Sequence, residues 1–416
     1  MMEHHFKCTN CSRIFAAGTT EREHIYICPD CGESIKNSPL KGVLTVEYDY
    51  EKLKKTYTKD KFLHLTAGQI WTYPDLWPME FSKIDKYDLE KLALPPNQIL
   101  KYKIDGRELY LQDETRNPTY SYKDRASILV ALKAKELGIN EIAAASTGNA
   151  GSSLAGICAR LGITSHIFVP KNIPEAKRIQ IQSYGGNIYL VDGDYDQAFD
   201  LCLEISKKNN WYNRNTAYNP LTIEGKKSAA FDIYINTKGE IPDYIFVPVG
   251  DGVIISGLYK GFLELKKLQI IEKLPRLIAV QAGGSSAVVD YLSTGIFEYK
   301  PPNTIADSIS AGAPRNLYMA AKAVKESKGY EVKATDDEIL SAQKELAHKT
   351  GLLVEPSCAS TFAAYKKEKS KFEGNKKIML LLTGSGLKDF ASLKQWNYKP
   401  KIKSDIEWIN ILIKEN

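Results

Sequence analysis

Asn117-Pro-Thr-Tyr-Ser-Tyr-Lys-Asp-Arg125 sets one lysine, Lys123, where a turn of small and polar residues enters a helix predicted over Asp124 to Leu137. A lysine amine is a nucleophile only when neutral, and burial in a site that disfavours its charge frees that lone pair. Taken alone, a lysine before Asp-Arg at a helix start reads as a solvated first turn. Around it, however, short apolar runs alternate with amphipathic helices. Strands are predicted at Glu108–Gln112, Glu141–Ala145, His166–Val169, Asn187–Val191, Tyr244–Val249, Arg276–Gln281 and Lys377–Leu382. Helices are predicted between them at Arg125–Leu137, Asn149–Leu161, Glu175–Tyr184, Tyr195–Lys208 and Gly252–Leu265. Such alternation implies βαβ units and a parallel sheet, hence the α/β class. Ligands of these sheets sit outside the carboxyl ends of the strands. Three glycine-punctuated turns fall there: Ser146-Thr147-Gly148-Asn149-Ala150-Gly151, Gly250-Asp251-Gly252 and Thr383-Gly384-Ser385-Gly386.

One reactive amine, with several loops able to grip an anion and an aromatic ring, is what a pyridoxal 5′-phosphate (PLP) enzyme requires. With all four loops in this order, the chain resembles the fold type II PLP enzymes (tryptophan synthase beta-like). It resembles the threonine synthase family most, from about Trp71 to Leu393. The resemblance implies two parallel-sheet α/β domains plus a small N-terminal zinc ribbon. The expected divisions are 1–38 for the ribbon, 39–100 for an extension packed on the catalytic domain, 101–138 with 212–416 for a large PLP-binding domain, and 139–211 for a small α/β domain.

The resemblance also implies roles. Lys123 would hold PLP through its amine and, once displaced by substrate, move protons among Cα, Cβ and Cγ; Asp124 and Arg125 would fix the helix entrance. Gly250, Asp251 and Gly252 let the backbone approach the cofactor phosphate, with Val253 and Ile254 donating their amides from a helix N-terminus. Asp251, a carboxylate, would point away from that phosphate. A Gly-Asp-Gly turn by itself is also an ordinary tight turn. Asn149 matches the family asparagine that meets the PLP ring hydroxyl, while Ser146, Thr147 and the Ala150 amide would hold the substrate carboxylate. Asn149 or Ser146 can equally cap the helix, and the two roles coexist. Thr383 matches the residue facing the pyridine nitrogen. An uncharged hydroxyl there cannot protonate the ring, which suits elimination and replacement better than transamination.

Further matches are Asn219-Pro with Glu224-Gly-Lys226, Thr304 to Ile309, and Glu355-Pro-Ser357. There are also departures. Ser385 stands where many members carry histidine, Ala93 to Ile99 replaces a Gly-x-Thr-Pro-Leu segment, and Thr216, Ala217 and Thr222 occupy the positions that recognise substrate phosphate as Asn, Ser and Arg. Loss of a guanidinium removes a charge-assisted, bidentate contact. Lys226, Lys227, Arg178 and Arg315 are the candidates to compensate.

Cys8-x2-Cys11 and Cys28-x2-Cys31 give two knuckles of thiolates, the pattern of a tetrahedral zinc site. A disulfide pair and a ribbon that has lost its metal are the alternatives. Four cysteines leave no open coordination position, so the expected Zn2+ is structural. His4, His5 and His24 are expected at the surface, and Cys158, Cys202 and Cys358 in the core, with Cys358 the more suspect for its place behind Glu355-Pro.

The 416 residues, with 56 basic and 50 acidic side chains, show no basic run interleaved with aromatics, so no nucleic-acid partner is expected. No apolar stretch approaches the eighteen or so residues of a membrane span, and the N-terminus lacks a signal-peptide core, so a cytoplasmic enzyme acting on a small amino acid is expected. A homodimer is usual for such folds, and 399–416 reads as an appended amphipathic helix. Three functions remain open: a threonine synthase acting on O-phospho-L-homoserine, another PLP lyase or replacement enzyme such as a threonine/serine dehydratase, or a non-catalytic zinc-ribbon module.

Overall fold

The computed structural model describes residues 4–146, 148–193 and 195–396. Thr147 and the predicted tail helix 399–416 therefore lie outside the described residues. Among the described residues, thirteen strands form three sheets. β1 (His4–Cys8), β2 (Ile14–Ala16) and β3 (Leu44–Tyr48) make an antiparallel ribbon in the order β2-β1-β3. β4 (Ile99–Ile104) and β5 (Arg107–Asp113) are followed by the smaller sheet's strands β6 (Glu141–Ala145), β7 (Thr164–Pro170), β8 (Asn187–Val191) and β9 (Tyr212–Asn213). That sheet is parallel, ordered β8-β7-β6-β9. β10 (Tyr244–Pro248), β11 (Arg276–Ala282), β12 (Tyr330–Ala334) and β13 (Ile378–Leu382) join β5 and β4 in the larger sheet. Its order is β12-β11-β10-β13-β5-β4, parallel apart from the β4–β5 pair.

Alternation along the larger sheet's strands sends side chains to two separate cores. Ile245, Val247, Met379 and Leu381 join the core that includes helices Asp124–Glu136 and Val253–Lys267. Phe246, Ile378, Leu380 and Leu382 join another, with helices Asp336–Thr350 and Pro356–Glu368. Both faces are covered, which is why these strands read as unbroken apolar runs.

Some expectations are corrected. The ribbon does not end at residue 38, because β3 lies beyond it and pairs with β1 from Leu44 to Tyr48. Tyr212 and Asn213, assigned to the large unit, extend the small sheet by pairing with β6. β4 begins at Ile99, inside the expected extension, and reverses into β5 through Asp105-Gly106, both at positive φ, the geometry of a two-residue hairpin. Between Gln281 and Lys377 no element was predicted, yet this stretch supplies β12 and several helices. One of them, Asp336–Thr350, opens with a Thr335/Glu338 capping box. His4 is not at the surface: its side chain is 3% exposed and its Nε2 lies 3.1 Å from Glu21 Oε1. His24 is half-buried against the Tyr212 ring.

Candidate active site

The carboxyl ends of β5, β6, β10 and β13 open onto one cleft of about 320 Å³, within the range of small-molecule sites (roughly 300–1,000 Å³). Lys123, Ser146, Asn149, Ala150, Gly250, Asp251, Gly252, Val253, Ile254 and Thr383 all line it. The four loops are thus brought together from positions up to 260 residues apart (383 minus 123).

Lys123 sits at the N-cap of helix Asp124–Glu136, and the surface it retains faces the cleft. Burial lowers its pKa below the ordinary lysine value, against opposing pulls from Asp251 and Glu355 and with a small push from Arg214. The neighbours hold this position. Asp124 accepts from Thr119 N at 2.7 Å and Ser153 Oγ at 2.6 Å. Arg125 donates to Glu114 Oε1 at 2.8 Å and Asp232 Oδ2 at 2.6 Å in the interior. Neither lines the cleft, as expected for residues that fix the helix entrance. Tyr122 N donates to Thr383 O at 2.9 Å and Ser385 N to Tyr120 O at 3.0 Å, stitching the lysine turn to the β13 loop.

Gly252, at φ +85°, turns the chain into helix Val253–Lys267 with no side chain capping it. The first-turn amides of such a helix have no intrahelical acceptor, so Val253 and Ile254 offer free donors to an anion. Asp251 turns its Oδ1 to Arg315 N at 3.2 Å, and burial raises its pKa.

Asn149 Nδ2 donates to Glu355 Oε2 at 2.7 Å and Ser308 Oγ at 3.1 Å, while its buried Oδ1 has no partner. Ser146 Oγ accepts from Gly148 N at 3.1 Å and Gly151 N at 2.9 Å, so it organises its own loop and retains a hydroxyl proton to donate. Thr383 Oγ1 lies 3.4 Å from Cys358 Sγ, which also accepts from Gly384 N at 3.0 Å. Cys358 is therefore a hydrogen-bonded support of the β13 loop, not a filler. A Cβ on Gly384 would meet Glu355 Oε2 at 2.3 Å, which explains the glycine there.

Two buried cations, one lining the cleft and one behind it, escaped the sequence reading. Lys177, from helix Glu175–Ser183, is 2% exposed, lines the cleft and pairs with Asp307. Arg214 lies behind Thr216, donating to its Oγ1 at 3.0 Å. No motif marks either; only the helix pattern around Lys177 was legible.

A PLP molecule suits this cleft: a buried amine of lowered pKa, an unpartnered Asn149 Oδ1, free amides at a helix start and an uncharged Thr383 hydroxyl converge on it. At the other end of the chain, Cys8, Cys11, Cys28 and Cys31 place their sulfurs within 4.8 Å of one another. Cys8–Cys31 and Cys11–Cys28 Sγ distances are 3.5 and 3.7 Å. Tetrahedral zinc with Zn–S bonds of about 2.3 Å sets its ligands about 3.8 Å apart. No cysteine pair is bonded.

The family model for pyridoxal-phosphate dependent enzymes matches residues 95–384. Threonine synthase of Methanocaldococcus jannaschii is 34% identical over 98% of this chain and 99% of its own. Threonine synthase of Methanosarcina acetivorans is 33% identical over 93% of this chain and 92% of its own. Among solved structures, maize serine racemase superposes with a TM-score of 0.62 at 19% identity, covering 79% of this chain and 96% of that one, a likeness of fold.

Proposed function

The chain belongs to the threonine synthase family of PLP-dependent enzymes, and from that premise we propose that it converts O-phospho-L-homoserine and water to L-threonine and phosphate. The observation that carries this reading is Lys123, its charge disfavoured by burial, facing the same cleft as the β6, β10 and β13 loops. PLP supplies a ring that withdraws electrons from the reacting carbons when bound. The chain's own residues do the rest. Lys123 holds the cofactor through its amine and then moves protons between neighbouring carbons. The amides of Val253 and Ile254 bind the cofactor phosphate, and the tight turn Gly250-Asp251-Gly252 presents them. Asn149 orients the ring hydroxyl. Ser146, Thr147 and the Ala150 amide hold the substrate carboxylate. Thr383 leaves the ring nitrogen unprotonated, which favours elimination and replacement. We also assign a structural Zn2+ to Cys8, Cys11, Cys28 and Cys31, the sulfur spacings being its support.

Wild-type protein given phosphohomoserine should release phosphate and form threonine in equal amounts. Lys123→Ala should abolish both and the visible colour of bound PLP. Thr216, Ala217 and Thr222 favour one second reading, a threonine/serine dehydratase. Ketoacid from threonine or serine, with no phosphate released from phosphohomoserine, would establish that reading instead.

A further inference from the structure

Two buried cations, Lys226 in the cleft lining and Arg214 directly behind Thr216 of that lining, make no ion pair among the described residues. Arg214, just after β9, is 0% exposed. Its Nη1 donates to Thr216 Oγ1 at 3.0 Å and its Nε to Ser127 Oγ at 3.4 Å, while Nη2 has no partner. Lys226 ends helix Leu221–Lys226, is equally buried and lines the cleft with Thr216. Its Nζ reaches back one turn to Thr222 O at 3.1 Å and makes no ion pair. Burial pushes the Arg214 pKa down to about 10. It also lowers that of Lys226 far below the ordinary value, with Arg214 and Lys123 adding like-charge repulsion. The opposite charges nearby are already engaged: Asp124, which with Tyr195 pulls on Arg214, accepts from Thr119 N and Ser153 Oγ, and Asp251, which pulls on Lys226, is shared with Lys123 and accepts from Arg315 N. A buried charge without a partner is costly, and proteins keep such charges where a ligand brings the opposite sign.

The other candidate cations are engaged. Lys227 is neutralised by Glu224 and Glu264. Arg315 donates to Ser38 O at 3.3 Å, and Arg178 is only part-buried and neither lines the cleft nor bonds a residue that this proposal uses. The Thr222 hydroxyl is taken up by Ala217 N and Asn219 O. Lys226 lies one helical turn beyond Thr222, and its ammonium points back towards that residue.

We propose that Arg214 and Lys226, with Thr216, form a subsite for a phosphate group of the substrate, distinct from the helix N-terminus assigned to the cofactor phosphate. Only the identity of the molecule bearing that phosphate rests on the function proposed above.

The test uses PLP-saturated enzyme, so that the cofactor phosphate occupies its own place, in phosphate-free buffer with inorganic phosphate as the probe. Wild-type Tm should climb with phosphate, because a ligand of the folded state stabilises it. Lys226→Met and Arg214→Met should weaken that response at least tenfold in apparent Kd, and Arg214→Lys should retain part of it. Without phosphate, Lys226→Met should melt no lower than wild type, since it removes an uncompensated charge. In turnover, KM for phosphohomoserine should rise at least tenfold, with a smaller fall in kcat. The proposal is overturned if wild type shows no phosphate-dependent shift, or if Lys226→Met, folded and coloured, responds as wild type does. Should Arg214→Met not fold, Lys226→Met decides alone. A subsite that binds phosphate in an enzyme that does not turn over phosphohomoserine would stand while the function proposal falls. Unchanged KM in Lys226→Met would do the reverse.

Discussion

Lys123 and Lys388 are both interior lysines whose affinity for a proton is reduced by burial, yet their surroundings assign them different work. Lys123 opens onto the cleft. Lys388 is tied down, donating to Thr119 O at 3.0 Å and Ser152 Oγ at 3.1 Å, away from the cleft lining. Its pKa is pushed down from 10.5 to about 8. Between those two values the unfolded chain binds more protons than the folded one, so this group makes stability rise with pH. Below the lower value the folded state bears a charged, partly desolvated ammonium, and the penalty is at its full size. Lys388→Gln keeps a donor and removes the titration. The gain in Tm between pH 7.5 and 9.5 should accordingly be smaller in the variant than in wild type by thermal melts; an equal gain would refute the assignment.

The short helix Leu221–Lys226 and the helix Val253–Lys267 cross beside β3 through a buried ionic group. Lys227 meets Glu264 at 2.9 Å and also pairs with Glu224, and Lys260 meets Glu224 at 3.2 Å. Tyr48 of the ribbon sheet completes it, its hydroxyl donating to Glu224. Two lysines and two glutamates cancel, which distinguishes this group from Arg214 and Lys226, which make no ion pair among the described residues. Breaking it leaves buried carboxylate charge, so Lys227→Met should cost about 3–5 kcal/mol. Urea unfolding measures that loss; a change below about 1 kcal/mol would show the group to be better solvated than its burial implies. The Glu224-Gly-Lys226 stretch was legible in the sequence as a family match, but not the division of labour inside it. Adjacent lysines, 226 and 227, face opposite environments because a helix turns about 100° per residue. A one-dimensional pattern does not say which face meets a carboxylate.

Across the whole molecule, the cysteine ribbon is docked onto the catalytic unit at points close to the cleft. Leu40 N donates to Arg315 O at 3.1 Å, and Arg315 N donates to Asp251 Oδ1. Asn213 N donates to Tyr26 OH at 2.9 Å, one residue before Arg214. Ribbon folding and cleft geometry are therefore linked. A chelator should release the proposed zinc, lower Tm and weaken PLP affinity, because a metal held by the four thiolates would supply folding energy that so short a module lacks otherwise. Metal release without any change in Tm or PLP affinity would show the ribbon to be uncoupled. Among the described residues no helix is long and apolar enough to cross a membrane.

The run of parallel strands, the four-cysteine pattern and the cleft loops at the strand ends were all readable from the chain, because each depends on local periodicity, spacing or turn chemistry. Lys123, Asn149, Gly250 and Thr383 lie in those loops and line the cleft, but their individual roles came from the family resemblance. The elements of 282–376 were not readable, although two family matches fall within that stretch and Thr335 and Glu338 mark one helix start there. Which cations lack a partner was decided only by the tertiary structure. Lys177, Arg214, Lys226 and Lys227 look alike in sequence; packing gives Asp307 to the first, Glu224 and Glu264 to the last, and, among the described residues, no ion pair to the two between. Compensation of charge is a property of distances in space, and residues 37 apart along the chain (264 minus 227) can set it.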